Sequence, residues 1–176
     1  MHILIIGGSG MLKELALKLN KEGQTVSVIG RNLTKLKRVQ EQAEHPAKLH
    51  IISADYTNAE YFINKVSKIS GQRPVQKVVA WFHETGYHTL QEMCNLFSSV
   101  QRREWELIHV KGSRAGNPAQ NFSPKTGLLC TYKQVILGHV MEKDHMRWLT
   151  HSEISSGVYE AMHSPRATSN IGRVNP

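Results

Sequence analysis

Apolar residues are arranged along the chain in two alternating patterns. Short continuous apolar runs, beginning with residues 3–6, are typical of strands that are buried on both faces of a parallel sheet. Between these runs, apolar residues recur at the three- and four-residue spacing of an amphipathic helix, first over residues 11–19. The predicted strands are residues 3–6, 25–29, 49–53, 77–82, 105–110 and 132–141. The predicted helices are residues 11–19, 33–43, 58–69 and 88–100, and a last helix that opens with a capping box at residues 150–153.

The alternation of strands and helices defines the fold class. It indicates an α/β protein with a single doubly wound, Rossmann-type parallel sheet of about six strands flanked by helices. A chain of 176 residues fits one domain over residues 1–176, because single domains commonly hold roughly 100 to 200 residues. Gly, Asn, Ser and Pro are frequent in residues 111–130, which predicts a lid loop. Gly138 is a weak point in the last strand, and residues 164–176 predict a loosely held tail.

Composition excludes several classes of protein. No apolar run approaches the roughly 18 to 20 residues that a membrane-spanning helix requires, so no membrane segment is predicted. Cys94 and Cys130 are far apart and belong to no CxxC motif, which favours a reducing, cytoplasmic location. His83, His88 and His109 do not follow a spacing that holds a metal ion on one helix face, so we predict no metal site.

The net charge of +8 raises the question of a polyanionic partner. A basic surface concentrates phosphates and is the usual footprint of a protein that binds nucleic acid. Here the basic residues are spread over several predicted helix faces, with no interleaved aromatic residues on which bases could stack. This distribution argues against a nucleic-acid partner.

The first strand is followed by a glycine-rich turn. Its residues are Gly7, Gly8, Ser9, Gly10 and Met11. Glycines between a strand and a helix let the backbone approach a pyrophosphate, whose charge the free N–H groups at the helix start attract. This position predicts a dinucleotide-binding loop. The alternative of a plain sharp turn stays open, because Lys13 stands where a third glycine is usual.

The residues after the second strand predict which dinucleotide binds. An NAD-selective site carries an acidic residue here, about 20 residues beyond the loop, to bind the ribose 2'-hydroxyl. This chain has Arg31 instead, with Asn32 and Lys35 close by at the start of the second helix. A guanidinium pairs with a 2'-phosphate through charge-assisted hydrogen bonds, so we predict NADP(H) as the cofactor. A solvated arginine in an ordinary turn is the alternative.

Further candidate residues follow the later strands, at the sheet edge where ligands of open α/β folds bind. Asp55 and Tyr56 come after the third strand and are candidates to contact adenine, although Asp55 is equally suited to a turn or cap. Trp81 and His83 end the fourth strand, beside the expected ribose and nicotinamide. Residues 111–113 follow the fifth strand and reach the same crevice.

Together these segments resemble the short-chain dehydrogenase/reductase family. They are GGSGM at the first turn, IGRN after the second strand, the Asp55-Tyr56 pair and VVAWFH at the fourth strand, and the likeness extends to about residue 113. Beyond it, TYKQVILGHV and RWLTHSEISSGVYEAM look like segments of short, uncharacterised bacterial proteins assigned to the same family. The resemblance implies a Rossmann fold and NADP-dependent oxidoreduction. It also leaves a homo-oligomer open, because the family commonly forms dimers and tetramers.

The family's catalytic pattern is only partly present. The resemblance implies a serine that orients the substrate carbonyl, and a Tyr-x-x-x-Lys pair on the helix after the fifth strand, in which the lysine lowers the tyrosine pKa. Ser113 is the candidate for the serine. The only literal Tyr-x-x-x-Lys in the chain is Tyr61 to Lys65, on the helix before the fourth strand. We interpret that match as chance.

Three residues are candidates to replace the missing pair. Tyr132 is the best-placed tyrosine, yet Ile136 stands where its lysine belongs and the surrounding residues predict a strand. Lys111 could supply the positive charge, and His83 could act as an acid or base because its unperturbed pKa is near 6.5. A lysine or histidine that is merely solvated or hydrogen-bonded at a strand end is the alternative in both cases.

Three functions fit these observations. The first is an NADP(H)-dependent reductase of an unknown small carbonyl or other unsaturated substrate. The second is a non-catalytic NADP(H)-binding or redox-sensing module, favoured by the incomplete catalytic pattern. The third is a basic adaptor for a polyanion. The reductase ranks slightly first, because hydride transfer depends mainly on the cofactor's own chemistry and on positioning. Whether the protein is an enzyme stays open at this level.

Overall fold

The computed structural model describes residues 1–116, 121–143 and 145–174. Its strands are β1 (His2–Ile6), β2 (Thr25–Gly30), β3 (Leu49–Ser53), β4 (Lys77–Trp81), β5 (Trp105–Lys111), β6 (Cys130–Leu137), β7 (His139–Glu142), β8 (His145–Trp148) and β9 (Thr168–Ile171). Its α-helices are α1 (Lys13–Lys21), α2 (Leu33–Glu41), α3 (Ala59–Gln72), α4 (Tyr87–Val100) and α5 (His151–His163). The elements predicted from the first strand to the fifth are confirmed, with small differences at their ends.

Side-chain caps determine where three of the helices begin. Asn32 and Asn58 each accept a hydrogen bond from the backbone N–H three residues further on, which satisfies a donor that the first helical turn leaves free. Thr150 and Glu153 form the predicted capping box at the start of α5. The helices therefore begin directly after their strands or turns, and the connections at the sheet edge stay short.

Seven parallel strands form one sheet, in the order β3-β2-β1-β4-β5-β6-β9. The chain builds the sheet outward from β1 in one direction and from β4 in the other, so the strand order reverses between β1 and β4. A doubly wound sheet opens a crevice at this reversal, outside the carboxyl ends of its strands. The predicted fold class is confirmed.

Both faces of the central strand are buried, which explains its uninterrupted apolar run. Ile3 and Ile5 point into the core beneath α1, α2 and α5. Leu4 and Ile6 point into the core beneath α3 and α4. All four side chains are at most 2% exposed, so each contributes roughly the 1.5–3 kcal/mol expected for full burial of such a side chain.

The seventh strand corrects a prediction. Residues 164–176 are expected to form a loosely held tail, yet Thr168–Ile171 pair in parallel with the end of β6. The reason is a tertiary contact: Ile171 packs against the core beneath α5, and a Cβ on Gly157 would lie 2.5 Å from its Cδ1 atom. The glycine makes room for the strand, and the sheet has seven strands instead of about six.

The sixth predicted strand is divided at Gly138. The sequence predicts one strand over residues 132–141 with a weak point at this glycine, whereas β6 ends at Leu137 and β7 pairs antiparallel with β8 outside the sheet. A Cβ on Gly138 would overlap the carbonyl group of Arg173. The resulting β7–β8 hairpin leads the chain toward the crevice before α5 begins.

The connection from β5 to β6 differs from the other crossovers. Its described residues hold a short 3-10 turn (Ser113–Gly116) and then irregular chain, with no α-helix. Residues 117–120, which belong to the predicted lid at 111–130, lie outside the described residues. Phe122 packs against the core beneath α4, so it covers part of the sheet face that a crossover helix commonly covers.

Helix α5 lies on the same face of the sheet as α1. Ile154 and Val158 share a core with Leu15 of α1, and the Ser155 hydroxyl donates a hydrogen bond to the Met11 carbonyl over 3.0 Å. The β1-α1-β2 and β6-α5-β9 connections cross this face while stepping in opposite directions along the sheet. They therefore have opposite hands. Right-handed crossovers strongly predominate, so one of these two connections has the rare hand. This arrangement brings the start of α5 next to the glycine-rich turn.

None of the helices in the described part of the chain combines the length and the apolar character that a membrane crossing requires.

Replacing Gly138 with alanine should destabilise the protein by about 1–3 kcal/mol, the usual cost of overpacking, because the added Cβ overlaps the backbone of Arg173. Gly71→Ala is the matched control, since a Cβ there meets no atom within 4 Å and alanine favours a helix. Urea unfolding of both variants measures the difference. Equal stability of the two variants would contradict the close packing between Gly138 and the last strand.

Candidate functional site

The turn after β1 brings backbone, not side chains, to the crevice. Gly7 has a φ of +90°, a conformation that non-glycine residues rarely adopt, and its N–H donates to the Ile29 carbonyl over 3.0 Å. A Cβ on Gly8 would lie 2.8 Å from Cγ1 of Val28. Gly10 is exposed, and its N–H bonds back to Gly7. Both Gly7 and Gly8 are therefore required by the local geometry.

A cavity of about 340 Å³ lies over this turn. It is bordered by ten of the residues predicted to bind a dinucleotide, namely Gly7, Ser9, Gly10, Met11, Arg31, Asn32, Lys35, Tyr56, Trp81 and His83. Gly8 and Asp55, which were also predicted, do not line it. Gly8 is buried beneath the turn, where it allows the close packing without facing the crevice.

The cationic end of this cavity contains an ion pair. The Arg31 Nη1 atom lies 3.9 Å from Oδ2 of Asp55, and both side chains are well exposed. Asp55 also accepts a hydrogen bond from the N–H of Thr57 over 2.9 Å, which is the turn role considered for it. The side chain of Asn32 caps α2. Arg31 and Lys35 are thus the cations that a ligand would meet here, and Asp55 competes for the first of them.

Tyr56 forms the opposite wall of the same cavity. Its ring centroid lies 4.8 Å from that of Phe82, and its hydroxyl oxygen lies 3.4 Å from the N–H of His83. A Cβ on Gly86 would lie 2.6 Å from the Tyr56 ring, so glycine is needed here for the tyrosine to fit. The ring provides a flat apolar surface at the end of β3.

A second, larger cavity of about 550 Å³ continues from the first. The two share Met11, Trp81 and His83 along their border. Ser113, a predicted catalytic residue, lines the larger cavity at the end of β5. The cavities thus form one continuous crevice along the carboxyl ends of the strands, at the reversal of strand order where the fold predicts a ligand.

The other two predicted catalytic residues lie elsewhere. Lys111 and Tyr132 line neither cavity; they lie between the sheet and the α4 side of the molecule. Lys111 is 2% exposed, and its ammonium group donates to the side chain of Asn121, to the Phe122 carbonyl at 2.6 Å and to Gln134 at 2.9 Å. Burial lowers the pKa of Lys111 to about 8. These hydrogen bonds hold residues 121–122 of the β5–β6 connection against the sheet.

The environment of Tyr132 has the opposite effect from the one that the family resemblance implies. Its hydroxyl lies 3.1 Å from Nδ1 of His109, and the Lys111 ammonium lies 5.6 Å from its ring centroid. Burial raises the pKa of Tyr132 to about 12, whereas the family's catalytic tyrosine has a lowered pKa. Ser113, Tyr132 and Lys111 were predicted as one catalytic set, and the structure separates Ser113 from the other two. The reason is that β5 ends at Lys111 and Ser113 already belongs to the 3-10 turn that follows, so the alternation of the strand no longer sets the direction of the Ser113 side chain.

The chance interpretation of Tyr61 and Lys65 agrees with their location. Both lie on α3, where the Lys65 ammonium is 4.9 Å from the Tyr61 ring centroid. They line a groove along β3 and α3 and neither of the two cavities at the glycine turn.

Several residues of the larger cavity are absent from the sequence analysis. Tyr87 begins α4, Leu137 ends β6, and Trp148 and Leu149 close the β7–β8 hairpin before α5. The position of Tyr87, just beyond a strand end, is a signal that could have identified it. The sequence holds no comparable signal for Trp148. This residue lies at the cavity only because β6 ends before Gly138 and the chain continues as the β7–β8 hairpin.

The described residues contain no group of three or more His, Cys, Asp or Glu side chains arranged to hold a metal ion. Cys94 and Cys130 are both free thiols, the first of them buried.

Solved structures, among them one of a short-chain dehydrogenase, share this fold. ElxO, solved with NADP bound, is 13% identical, with 97% of this chain and 96% of that chain covered and a TM-score of 0.72. A short-chain dehydrogenase from Bacillus anthracis is 15% identical, with 97% and 94% covered and a TM-score of 0.72. Serine dehydrogenase from Escherichia coli is 13% identical, with 98% and 97% covered and a TM-score of 0.68.

At these identities the similarity is one of fold. The fold expected from the family resemblance is thereby confirmed. No family model matches the chain, and no curated protein matches it.

His109 should make the protein sensitive to acid. It is fully buried on β5, and burial lowers its pKa from 6.5 to about 3. Between these values the unfolded chain binds the additional proton, so stability is lost as the pH falls from 6.5 toward 3. At about pH 5 this loss amounts to about 2 kcal/mol.

Urea unfolding over a pH series measures the effect of His109→Leu. The free energy of unfolding of this variant should fall less on acidification than that of the wild type. His145→Leu, at an exposed position of the hairpin, should keep the wild-type slope. Parallel pH profiles for wild type and His109→Leu would show that the imidazole is not held neutral.

Proposed function

We propose that this protein is an NADP(H)-dependent oxidoreductase of the short-chain dehydrogenase/reductase type that acts on a small carbonyl substrate. One observation carries the proposal. The glycine-rich turn opens onto a cavity that ends at Arg31, and this cavity continues into a larger one lined by Ser113. A cofactor cavity and a substrate cavity that share a border are what hydride transfer between two bound molecules requires.

The residues of the smaller cavity fit a dinucleotide phosphate. Gly7 has a positive φ and Gly10 is exposed, so glycine backbone without side-chain cover borders the cavity at the turn before α1, where a pyrophosphate is favoured by the helix dipole. Tyr56 offers an apolar surface for an adenine ring. ElxO, which shares the fold, is solved with NADP bound.

Arg31 and Lys35 carry the selectivity in this proposal. Both cations border the cavity at the end of β2, where a guanidinium can pair with a 2'-phosphate by charge-assisted hydrogen bonds. Asp55 is the nearest carboxylate to Arg31, so a phosphate would replace it as the arginine's partner. NADPH is therefore favoured over NADH, in which the ribose is uncharged at this position.

Ser113 and His83 are the groups proposed to touch the substrate. NADPH supplies a hydride, which, with one proton, converts a carbonyl group into an alcohol. The Ser113 hydroxyl can donate a hydrogen bond to the carbonyl oxygen and polarise it. His83 borders both cavities and is exposed, so it can pass a proton between solvent and that oxygen.

Lys111 and Tyr132 act by positioning in this proposal. Lys111 immediately precedes Gly112 and Ser113 in the chain, and its bonds to the 121–122 segment hold the end of β5 in place. Tyr132 hydrogen-bonds to His109 on the same sheet face. Neither residue lines the cavities, so neither is proposed to contact the carbonyl.

A non-catalytic NADP(H)-binding module is the second candidate. It is favoured by the raised pKa of Tyr132 and by the extended connection where the family resemblance implies a catalytic helix. Titration of the protein with NADPH and NADH, followed by a screen of carbonyl compounds, separates the candidates. Binding with turnover supports the oxidoreductase, binding without turnover of any compound supports the module, and no binding of either nucleotide eliminates both.

Replacing Arg31 with alanine should weaken NADPH binding by about 10- to 100-fold, the range expected for a charged hydrogen bond, and should leave NADH binding nearly unchanged. Asp55→Asn should strengthen NADPH binding, because it removes the carboxylate that competes for Arg31. Calorimetric titration gives the dissociation constants. Arg38→Ala, which removes the same charge from α2 outside the cavity, is the control, and equal losses for both nucleotides would refute the 2'-phosphate assignment.

Replacing Ser113 with alanine should lower kcat by about tenfold or more and leave the dissociation constant of NADPH unchanged, because the hydroxyl stabilises charge on the carbonyl oxygen only during reduction. Steady-state kinetics with a substrate from the carbonyl screen measures this effect. Ser152→Ala, at an exposed position of α5, should match the wild type. Unchanged kcat in Ser113→Ala would remove this serine from the mechanism.

A further inference from the structure

The larger cavity is predominantly apolar on one side. Its wall there is formed by Leu137, Trp148, Leu149 and Ile154. These residues come from the end of β6, the β7–β8 hairpin and the first turn of α5. A volume of about 550 Å³ is within the range that accommodates small organic ligands.

The charged side chains on the described lining of this cavity are paired with each other. Glu84 and Arg114 lie 3.8 Å apart, and their side chains are 71% and 80% exposed. They therefore stand at the rim in contact with solvent, and their charges offset each other. A carboxylate or phosphate in the interior would lose its hydration, which is costly, and would have to compete with Glu84 for Arg114 at the rim.

Trp148 is the wall residue that indicates most about the kind of ligand this cavity binds. Its side chain borders the cavity although the residue is 70% exposed. An aromatic ring in this position retains a large apolar area that a ligand can bury, and aromatic rings contribute strongly to binding when they are covered. Trp81 borders both cavities, so the lining offers an apolar ligand a second indole ring.

We propose that this cavity takes an uncharged ketone or aldehyde with an aromatic or alicyclic body. The apolar body packs against Trp148, Leu149 and Ile154, and the carbonyl lies at the end of the cavity that Ser113 and His83 line. Acidic substrates, including oxo acids and phosphorylated sugars, are disfavoured by the absence of an unpaired cation among the described lining residues. The inference rests on the proposed function for the reduction step, but binding of the ketone does not require it.

A matched pair of compounds tests the charge preference. Benzylacetone is an uncharged aromatic methyl ketone, and its analogue with a carboxylate in place of the methyl group keeps the same phenethyl body and carbonyl. Alpha-tetralone provides an uncharged ketone with a fused-ring body. Calorimetry and intrinsic tryptophan fluorescence measure binding to the protein alone and in the presence of NADP+, which cannot reduce a ketone.

At least one uncharged ketone should bind more tightly than the carboxylate analogue, by a factor of about ten or more. Trp148→Ala should weaken ketone binding by about tenfold, through the loss of the aromatic contact. Met146→Ala is the matched control, because Met146 is an exposed apolar residue of the same strand that does not line the cavity. It should bind the ketone like the wild type. Tighter binding of the carboxylate, or ketone binding that is unaffected by Trp148→Ala, overturns the inference.

Turnover is measured separately, as NADPH oxidation in the presence of each compound. Ketone binding that depends on Trp148 but yields no NADPH oxidation supports this inference and counts against the proposed oxidoreductase. NADPH-dependent reduction of the carboxylate analogue, without binding or reduction of either ketone, supports the oxidoreductase and overturns this inference. The two proposals therefore fail on different measurements.

Discussion

The structure depends on a close approach of the backbone to the sheet at the turn that follows β1. A Cβ on Gly8 would lie 2.8 Å from Cγ1 of Val28 and 3.0 Å from Cγ2 of Ile5, so glycine alone fits without a shift of its neighbours. The backbone changes direction at Gly7, which has a positive φ. Because the chain passes so close, Leu12 is fully buried and α1 begins directly against the sheet. The crevice is bordered by backbone at this point, and both cavities meet there along Met11.

The connection between β5 and β6 covers a sheet face that carries buried polar groups, while other polar groups stay exposed at the crevice. Lys111 and His109 are buried on the sheet face that the connection covers, whereas Arg31 and Lys35 remain exposed at the crevice. The buried pair have lowered pKa values because burial disfavours their charged forms. Arg31 and Lys35 thus lie at one end of the crevice, whereas the larger cavity has an apolar wall at Trp148 and carries the paired Glu84 and Arg114 at its rim. This separation of charge from apolar surface is the basis of both proposals.

The sequence predicts those features that depend on local chemistry. The glycine turn, the arginine after β2 and the capping box at Thr150 follow from residue types at fixed spacing, and the strands up to β5 follow from continuous apolar runs. Strand β9 does not, because Thr168–Ile171 contain one large apolar residue and are held by a contact with Gly157 that is distant in sequence. The apolar wall at Trp148 depends on the break at Gly138 in the same way. The burial of Lys111 could not be predicted, because a strand-end lysine is ordinarily solvated.

The return of α5 to the face of α1 has a consequence for how the protein is made. The hydrogen bond between Ser155 and Met11 joins residues 144 positions apart, and contacts of such long range slow folding. During synthesis the first strands emerge and pair early, but the wall that α5 contributes forms only after residues 151–163 have also left the ribosome. The crevice is therefore completed later than the first strands, and a nucleotide bound there as proposed would stabilise only chains in which this docking has occurred. The supply of that cofactor would then raise the yield of folded protein as well as support the proposed reaction.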